Sequence, residues 1–362
     1  MAYVLPRFVY SKQLLSHNLR ICYQKIVYYH KYNYIQISKI PMMHFQTSLP
    51  RLPIPKLELT CQRYLAAQKP LLTDKDYKKI ETSVLKFKDT VGKELHTVLV
   101  KNDKNNKHTS YISEPWFKNY LISRKPLPLN YNPALIFQND CRKEYNNQLT
   151  RCTNMLISSL RFYKSLQEGV LEPEVFHLNP KKSDTKRFRS ICSMTPKYIS
   201  WYAAYLFNTY PLDMSQYHSL FNATRIPELN KDRFFQNPKM KHVLVQSKGY
   251  FYVFDVLNES GDILPREKIL ARLNFIFNDR INANKYPIGI LTTLERNKWA
   301  KLRHNILNLN NDKSLDLIDG ALFNICLDEE TVSDDLQTLI RQFLHSDGKN
   351  RFVITLFIFL LI

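Results

Sequence analysis

The chain has 362 residues, 44% hydrophobic and 13% aromatic, and 52 Lys and Arg against 32 Asp and Glu give a formal charge of +20. That length and apolar content suffice for one large domain or two ordinary ones with a sizeable core. Only seven glycines, and neither GxGxxG nor GxxxxGK[ST], exclude glycine-rich phosphate loops and collagen-like or low-complexity organisation.

The charge is unevenly placed. Residues 1–57 hold eight basic residues (Arg7, Lys12, Arg20, Lys25, Lys31, Lys39, Arg51, Lys56) and no acid; the remainder holds 44 basic and 32 acidic residues without long runs. No RNP-like aromatic motif, paired Cys/His finger or basic heptad region accompanies them, so nucleic acid is not the expected partner. Cys22, Cys61, Cys141, Cys152, Cys192 and Cys326 form neither a CxxC pair nor a secretory spacing, which predicts free thiols in a reducing compartment. The ten histidines include no HExxH or HxH, and no metal site is expected.

In chain order, residues 1–45 are acid-free, dotted with Arg and Lys, and contain Ser, the composition of a mitochondrial transit leader. Tyr23, Tyr28, Tyr29, Tyr32 and Tyr34 are less typical of one and leave a basic arm as the alternative. Prolines at 50, 53 and 55 hold the next stretch extended. Thr73 to Asp76 reads as a helix cap, and Tyr77, Ile80, Val84, Phe87, Val91, Leu95 and Val98 step by three or four, predicting one long amphipathic helix. Ser113 and Pro115 start another, carrying Trp116, Phe117, Tyr120 and Leu121. A third is predicted from about Tyr145 to Gly169, with Met155, Leu156, Ser159, Leu160 and Tyr163 at helical spacing.

The pattern then changes. Residues 242–247 and 250–257, joined around Lys248-Gly249, predict a strand hairpin. Helices are expected near 265–278, 294–307 and 334–345, and a short apolar strand within Ala321 to Leu327. This mixture predicts an α/β or α+β arrangement. Lys181, Lys182, Lys186, Arg187, Arg189 and Lys197, followed by Trp201, Tyr202 and Tyr205, suit a membrane surface, or equally a solvated loop leading into a buried aromatic helix.

The stretch LPRLPIPKLELTCQRYL (Leu49 to Leu65) resembles the N-terminal signature of the carnitine/choline acyltransferases, departing from it at Leu59 and Cys61. The resemblance continues through NKHTSYISEPWF (Asn106 to Phe117), YNNQLTRCTNM (Tyr145 to Met155), LEPEVFHLNPKKSDT (Leu171 to Thr185), YPLDMSQYHSLFNATRIP (Tyr210 to Pro227) and HSDGKNR (His345 to Arg351). It spans roughly residues 40–351, and within the family it points to the long-chain members of mitochondrial fatty-acid oxidation, attached to the inner membrane on its matrix side. The resemblance implies an α/β fold, here the N-terminal portion of a two-domain CoA-dependent acyltransferase with a mixed sheet flanked by helices. It implies a leader over 1–45, an acyltransferase portion over 46–351 with a membrane-associating insert at 178–206, and a divergent tail at 352–362.

The implied reaction moves a long-chain acyl group between carnitine and coenzyme A, which are co-substrates; no bound cofactor is implied. Long-chain acyl-CoA or acylcarnitine and the inner-membrane surface are the implied partners. A neutral histidine acts as general base because its pKa lies near the working pH. By resemblance, Trp116 and Tyr120 line the carnitine side of the tunnel, where an aromatic face suits a trimethylammonium, and Tyr131 and Pro133 border the acyl chain; plain core packing is the alternative for all four. Lys181, Lys182, Lys186, Arg187, Arg189 and Trp201 fall in the membrane insert.

The family's base lies in H-x-x-x-D-G, and none of the ten histidines stands in that motif, so no catalytic residue is expected in this chain. His345 precedes Asp347-Gly348 by two residues, not four, and is not expected to be catalytic. The coenzyme A-binding stretch and the carnitine-carboxylate contacts lie in the family's second half. From Val353 the resemblance stops. The ten residues to Ile362, nine apolar and none charged, would span about half a bilayer core as helix and suit an aggregation-prone segment better. A retained intron, a frameshift or a gene-model error is the expected origin of that ending, and the resulting product is expected to be inactive and poorly soluble.

Overall fold

The computed structural model describes residues 44–327 apart from 107, 132–136 and 138, together with 335, 337 and 338. Pro133, His345, the rest of the helix expected at 334–345, the leader up to residue 43 and the 352–362 tail lie outside the described residues. The described chain forms two compact units, one of Pro50–Ile122 and one of the residues before and after it.

The Pro50–Ile122 unit is helical. Its extended lead-in is tied by Arg51, which pairs with Asp103 and donates from Nε to the Thr109 carbonyl at 3.0 Å, and by the Leu52 N–H on Ser110 Oγ at 3.0 Å. Helix α1 runs Leu57–Gln68 and α2 Asp74–Asp89. Thr73 caps α2 by accepting from the Asp76 N–H, with Asp74 and Asp76 in the first turn and Lys86 and Lys88 in the last, complementing the helix dipole.

The single long helix expected here is two. The chain leaves helical geometry at Thr90 (φ −117°, ψ −108°) and restarts as α3, Val91–Asn105. Gly92 permits the restart, since a Cβ there would lie 2.6 Å from the Phe87 carbonyl oxygen. The apolar series is thereby divided, and Phe87, Val91, Leu95 and Val98 are exposed rather than buried. Helix α4, Ser113–Ile122, starts where Ser113 and Pro115 predict.

The second unit contains a short helix α5 (Leu127–Asn130), the long α6 (Gln148–Gln167), strand β1 (Val175–His177), helices α7 (Pro180–Ser183), α8 (Lys186–Met194) and α9 (Ser200–Leu206), and strand β2 (Thr209–Pro211). Then follow β3 (Ala223–Ile226), β4 (Arg233–Gln236), β5 (His242–Ser247), β6 (Tyr250–Asp255), α10 (Arg266–Phe277), α11 (Arg296–Leu307), α12 (Asp312–Gly320) and β7 (Asn324–Leu327). Helix α6 forms as expected: Asn147 accepts from the Thr150 N–H at 2.9 Å, and Gly169 takes φ +62° just past its end.

The predicted hairpin is β5–β6, antiparallel, with Ser247 opposite Tyr250. Its two-residue turn puts Lys248 at φ 49° and Gly249 at φ 79°, the left-handed pair that matches strand twist in tight hairpins. Strand β7 adds parallel to the other edge of β5, giving a mixed sheet ordered β6-β5-β7. As the central strand, β5 is buried along its whole length, the apolar Val243–Val245 as well as the polar His242, Gln246 and Ser247. Val243, Val245, Ile325 and Leu327 pack with Leu156 and Leu160 of α6 and Ile269 and Leu273 of α10 in the main core. The architecture is mixed α/β, mostly helical with small sheets. The antiparallel pair β1–β2, closed across helices α7 to α9, and the short hairpin β3–β4 are additions to the predicted elements.

Burial sorts the thiols. Cys141 is exposed, whereas burial pushes the Cys152 thiol up to about 12 and the Cys192 thiol up to about 11. Of these three, Cys141 is expected to react first with a thiol reagent at neutral pH, and Cys152 and Cys192 to label only after denaturant is added. Peptide mapping of the labelled native chain checks this; Cys152 labelling as fast as Cys141 would contradict the packing.

Candidate functional site

Three constellations hold the residues that the sequence singles out. On α4, Trp116 and Tyr120 are one helical turn apart and meet edge to face, ring centres 5.7 Å apart. Trp116 is 58% exposed and lines a shallow depression with Ile112, Pro115, Lys118, Asn119 and Ile122. An exposed, edge-on aromatic pair presents a ring face able to receive a quaternary ammonium.

Tyr131 belongs to the other unit. Its hydroxyl donates to Ser123 Oγ at 2.6 Å, and the Arg225 guanidinium lies 5.9 Å from its ring centre. Arg225 is itself one of three arginines around a buried carboxylate. Asp232 receives Arg225 Nε at 2.6 Å and Arg296 Nε at 2.7 Å on Oδ2, and Arg124 Nη2 lies 2.9 Å from Oδ1. The Asp232 side chain has no exposed surface and the Arg296 side chain has 2%.

Further donors find backbone oxygens: Arg296 on the Arg225 carbonyl, Arg225 on the Ser123 carbonyl and Arg124 on the Glu228 carbonyl, at 3.0, 3.0 and 2.8 Å. The cluster thereby joins the 123–131 connection, the β3–β4 hairpin and the start of α11. Burial pushes the Arg296 guanidinium down, Asp232 opposes that, and Arg225 and Arg124 add to it. Sequence reasoning missed this cluster. A signal was available in α11, where Arg296, Trp299 and Arg303 share one helical stripe and are all buried.

The third constellation is the basic, aromatic stretch. Short helices α7, α8 and α9 hold it, so it is not the open loop that was one of the two sequence alternatives. A satellite core of Phe45, Phe188, Cys192, Ala203 and Ala204, apart from the main core, fixes α8 against α9. Lys181, Lys182, Lys186 and Arg187 are exposed, and among the described residues none of the four joins an ion pair. Arg189 differs from them. Its Nε lies 3.0 Å from Glu172 and its Nη2 2.6 Å from Asp184, so its charge is compensated within the protein.

Trp201 is half-buried and stacked on Tyr205 at 5.3 Å, whereas Leu206, Met194 and Tyr198 stand out with 82%, 75% and 72% of their surface exposed. The stretch therefore exposes both apolar side chains and cations without an ion-pair partner among the described residues. His177 Nδ1 lies 2.8 Å from Ser183 Oγ; burial pushes its pKa down, Asp184 raises it and Arg189 lowers it, so the ring adds no cation to this surface at neutral pH. No helix among the described residues is long and apolar enough to cross a membrane.

With these sites placed, comparison with known proteins is decisive for ancestry. The family described as Choline/Carnitine o-acyltransferase matches residues 52–355. The chain belongs to this acyltransferase family. It is 51% identical over 318 residues to human "Carnitine O-palmitoyltransferase 2, mitochondrial" and 52% over 318 residues to the protein of that name from Xenopus tropicalis. Both matches cover 88% of this chain and 48% of the relative. Against the pigeon (Columba livia) "Carnitine O-acetyltransferase" it is 29% identical over 327 residues, covering 86% of this chain and 47% of the relative. The chain spans about half the length of the curated relatives it matches. Among acyltransferases, then, it is far more similar to the palmitoyl enzymes than to the acetyl enzyme.

Proposed function

We propose that this chain is the N-terminal half of a mitochondrial long-chain carnitine acyltransferase, docked peripherally on the inner membrane from the matrix side, and that by itself it does not transfer acyl groups. The observation that carries the long-chain assignment is the 51% identity to a carnitine O-palmitoyltransferase 2, against 29% to a carnitine O-acetyltransferase. On this reading Trp116 and Tyr120 supply an aromatic wall for the carnitine ammonium, and Tyr131 and Pro133 border the acyl chain. Long-chain acyl-CoA and acylcarnitine are the substrates of the complete reaction. Its chemistry needs a general base on the carnitine hydroxyl, or on the thiol in reverse, and donors that stabilise the tetrahedral oxyanion. None of the ten histidines stands in the H-x-x-x-D-G setting of that base.

A membrane-docked, non-catalytic interaction protein is the second reading, favoured by the uncompensated Lys181, Lys182, Lys186 and Arg187 beside exposed Met194, Tyr198 and Leu206. Both readings place the chain at a membrane surface. Imported into isolated mitochondria, it is expected to resist external protease, to sediment with inner membranes and to be released by alkaline carbonate, as a peripheral protein is. Recovery in the soluble matrix fraction at low salt would contradict the membrane assignment.

A further inference from the structure

The two helices carrying the proposed docking surface are short, nine residues in α8 and seven in α9. Isolated helices of that length are marginal in water. Their termini are completed from far away in sequence. His44 Nε2 donates to the Cys192 carbonyl at 2.8 Å, in the last turn of α8. Helix α9 receives no side-chain cap from Ile199, the residue preceding it. Instead the Trp201 N–H donates to Ser48 Oγ at 3.1 Å, so one of its orphan N–H groups is satisfied by a residue 153 positions earlier.

Around these two contacts, Thr47 Oγ1 donates to the Lys197 carbonyl at 3.2 Å in the α8–α9 turn, and the Ser200 hydroxyl lies 3.2 Å from the His44 carbonyl. Gln46 grips the chain beyond β2 with both ends of its amide: Nε2 donates to the Leu212 carbonyl at 3.0 Å, and Oε1 accepts from the Met214 N–H at 2.9 Å. Between these polar contacts Phe45, 1% exposed, fills the satellite core against Phe188, Cys192, Ala203 and Ala204.

We infer that residues 44–49 are a strap that positions the membrane-docking helices, and that loss of the strap, by mutation or by N-terminal trimming past residue 43, releases α8 and α9 and weakens membrane attachment. The membrane half of this inference rests on the docking surface proposed above; the structural half stands apart from it. None of residues 44–49 is Lys, Arg, Asp or Glu, so altering the strap leaves the docking cations in place.

The test compares the full chain with Phe45→Ala, with Ser48→Ala, which removes only the α9 cap, and with Phe45→Leu as the conservative control. Amide exchange and sedimentation with cardiolipin-containing vesicles are both read. Phe45→Ala is expected to speed exchange across 189–203 by about tenfold or more while amides of β5 keep their protection, and to lower vesicle binding; Ser48→Ala should show a smaller loss of the same kind, and Phe45→Leu little. Unchanged exchange in α8 and α9 for both alanine variants would overturn the strap. Faster exchange with undiminished vesicle binding would overturn its link to the membrane. Faster exchange in a chain whose unmutated form binds no vesicles would overturn the docking surface and leave the strap standing.

Discussion

Asp232→Ala is expected to destabilise the second unit by about 3–5 kcal/mol, the cost of leaving buried charge without its counter-ion. The magnitude follows from geometry. Arg225 and Arg296 point their Nε donors at one carboxylate oxygen, Arg124 faces the other, and the carboxylate has no exposed surface. Removing it leaves three guanidinium groups in mutual repulsion where water is excluded. For a unit of this size the loss amounts to a fall in Tm of roughly 6–20 °C. Asp232→Asn keeps the shape and removes the charge, so it should lose nearly as much; a lysine at Arg296 cannot reproduce the guanidinium's contacts with both Asp232 and the Arg225 carbonyl and should not be neutral. Thermal melts of the three variants check this. A shift under 2 °C for Asp232→Ala would show the cluster to be solvated. Because Tyr131 lies beside Arg225 and Ser123, the same variant should also loosen that ring.

The second large effect concerns the membrane. Changing Lys181, Lys182, Lys186 and Arg187 together to glutamine should weaken binding to anionic vesicles on the order of a hundred- to a thousandfold at low salt, since each basic residue near such a surface contributes roughly 1 kcal/mol. The unmutated chain should itself lose much of its binding as salt rises and the Debye length shortens. Arg189→Gln should weaken binding less than its four neighbours do on average, because Glu172 and Asp184 already compensate that guanidinium. Vesicle sedimentation at two salt concentrations reads all three. Unaltered binding by the quadruple variant would move the attachment elsewhere, the basic N-terminal segment being the first alternative.

Local signals in the sequence carried far. Gly169 ends α6, the Lys248-Gly249 turn registers β5 with β6, and Ser113 with Pro115 opens α4, because caps and turns depend on residues close together in the chain. The apolar series from Tyr77 to Val98 misled, since helical spacing persisted across Thr90 although the backbone broke there. What stayed invisible is held by long-range contacts. Asp232 meets an arginine 64 residues later, and His44 meets Cys192 across 148 residues; neither distance leaves a periodic trace. The three- and four-residue strands of β1–β2 and β3–β4 are too short to show alternation. At the candidate site, Trp116 and Tyr120 were legible as a helical pair, and the basic stretch as a charged one. Which of its cations are compensated was legible only in three dimensions.

That this chain does not transfer acyl groups by itself is tested most directly by supplying purified chain with palmitoyl-CoA and carnitine and following free thiol. No carnitine-dependent thiol release above the protein-free rate is predicted. Carnitine-dependent turnover that survives purification and is abolished by replacing one of the chain's ten histidines with alanine would contradict the account.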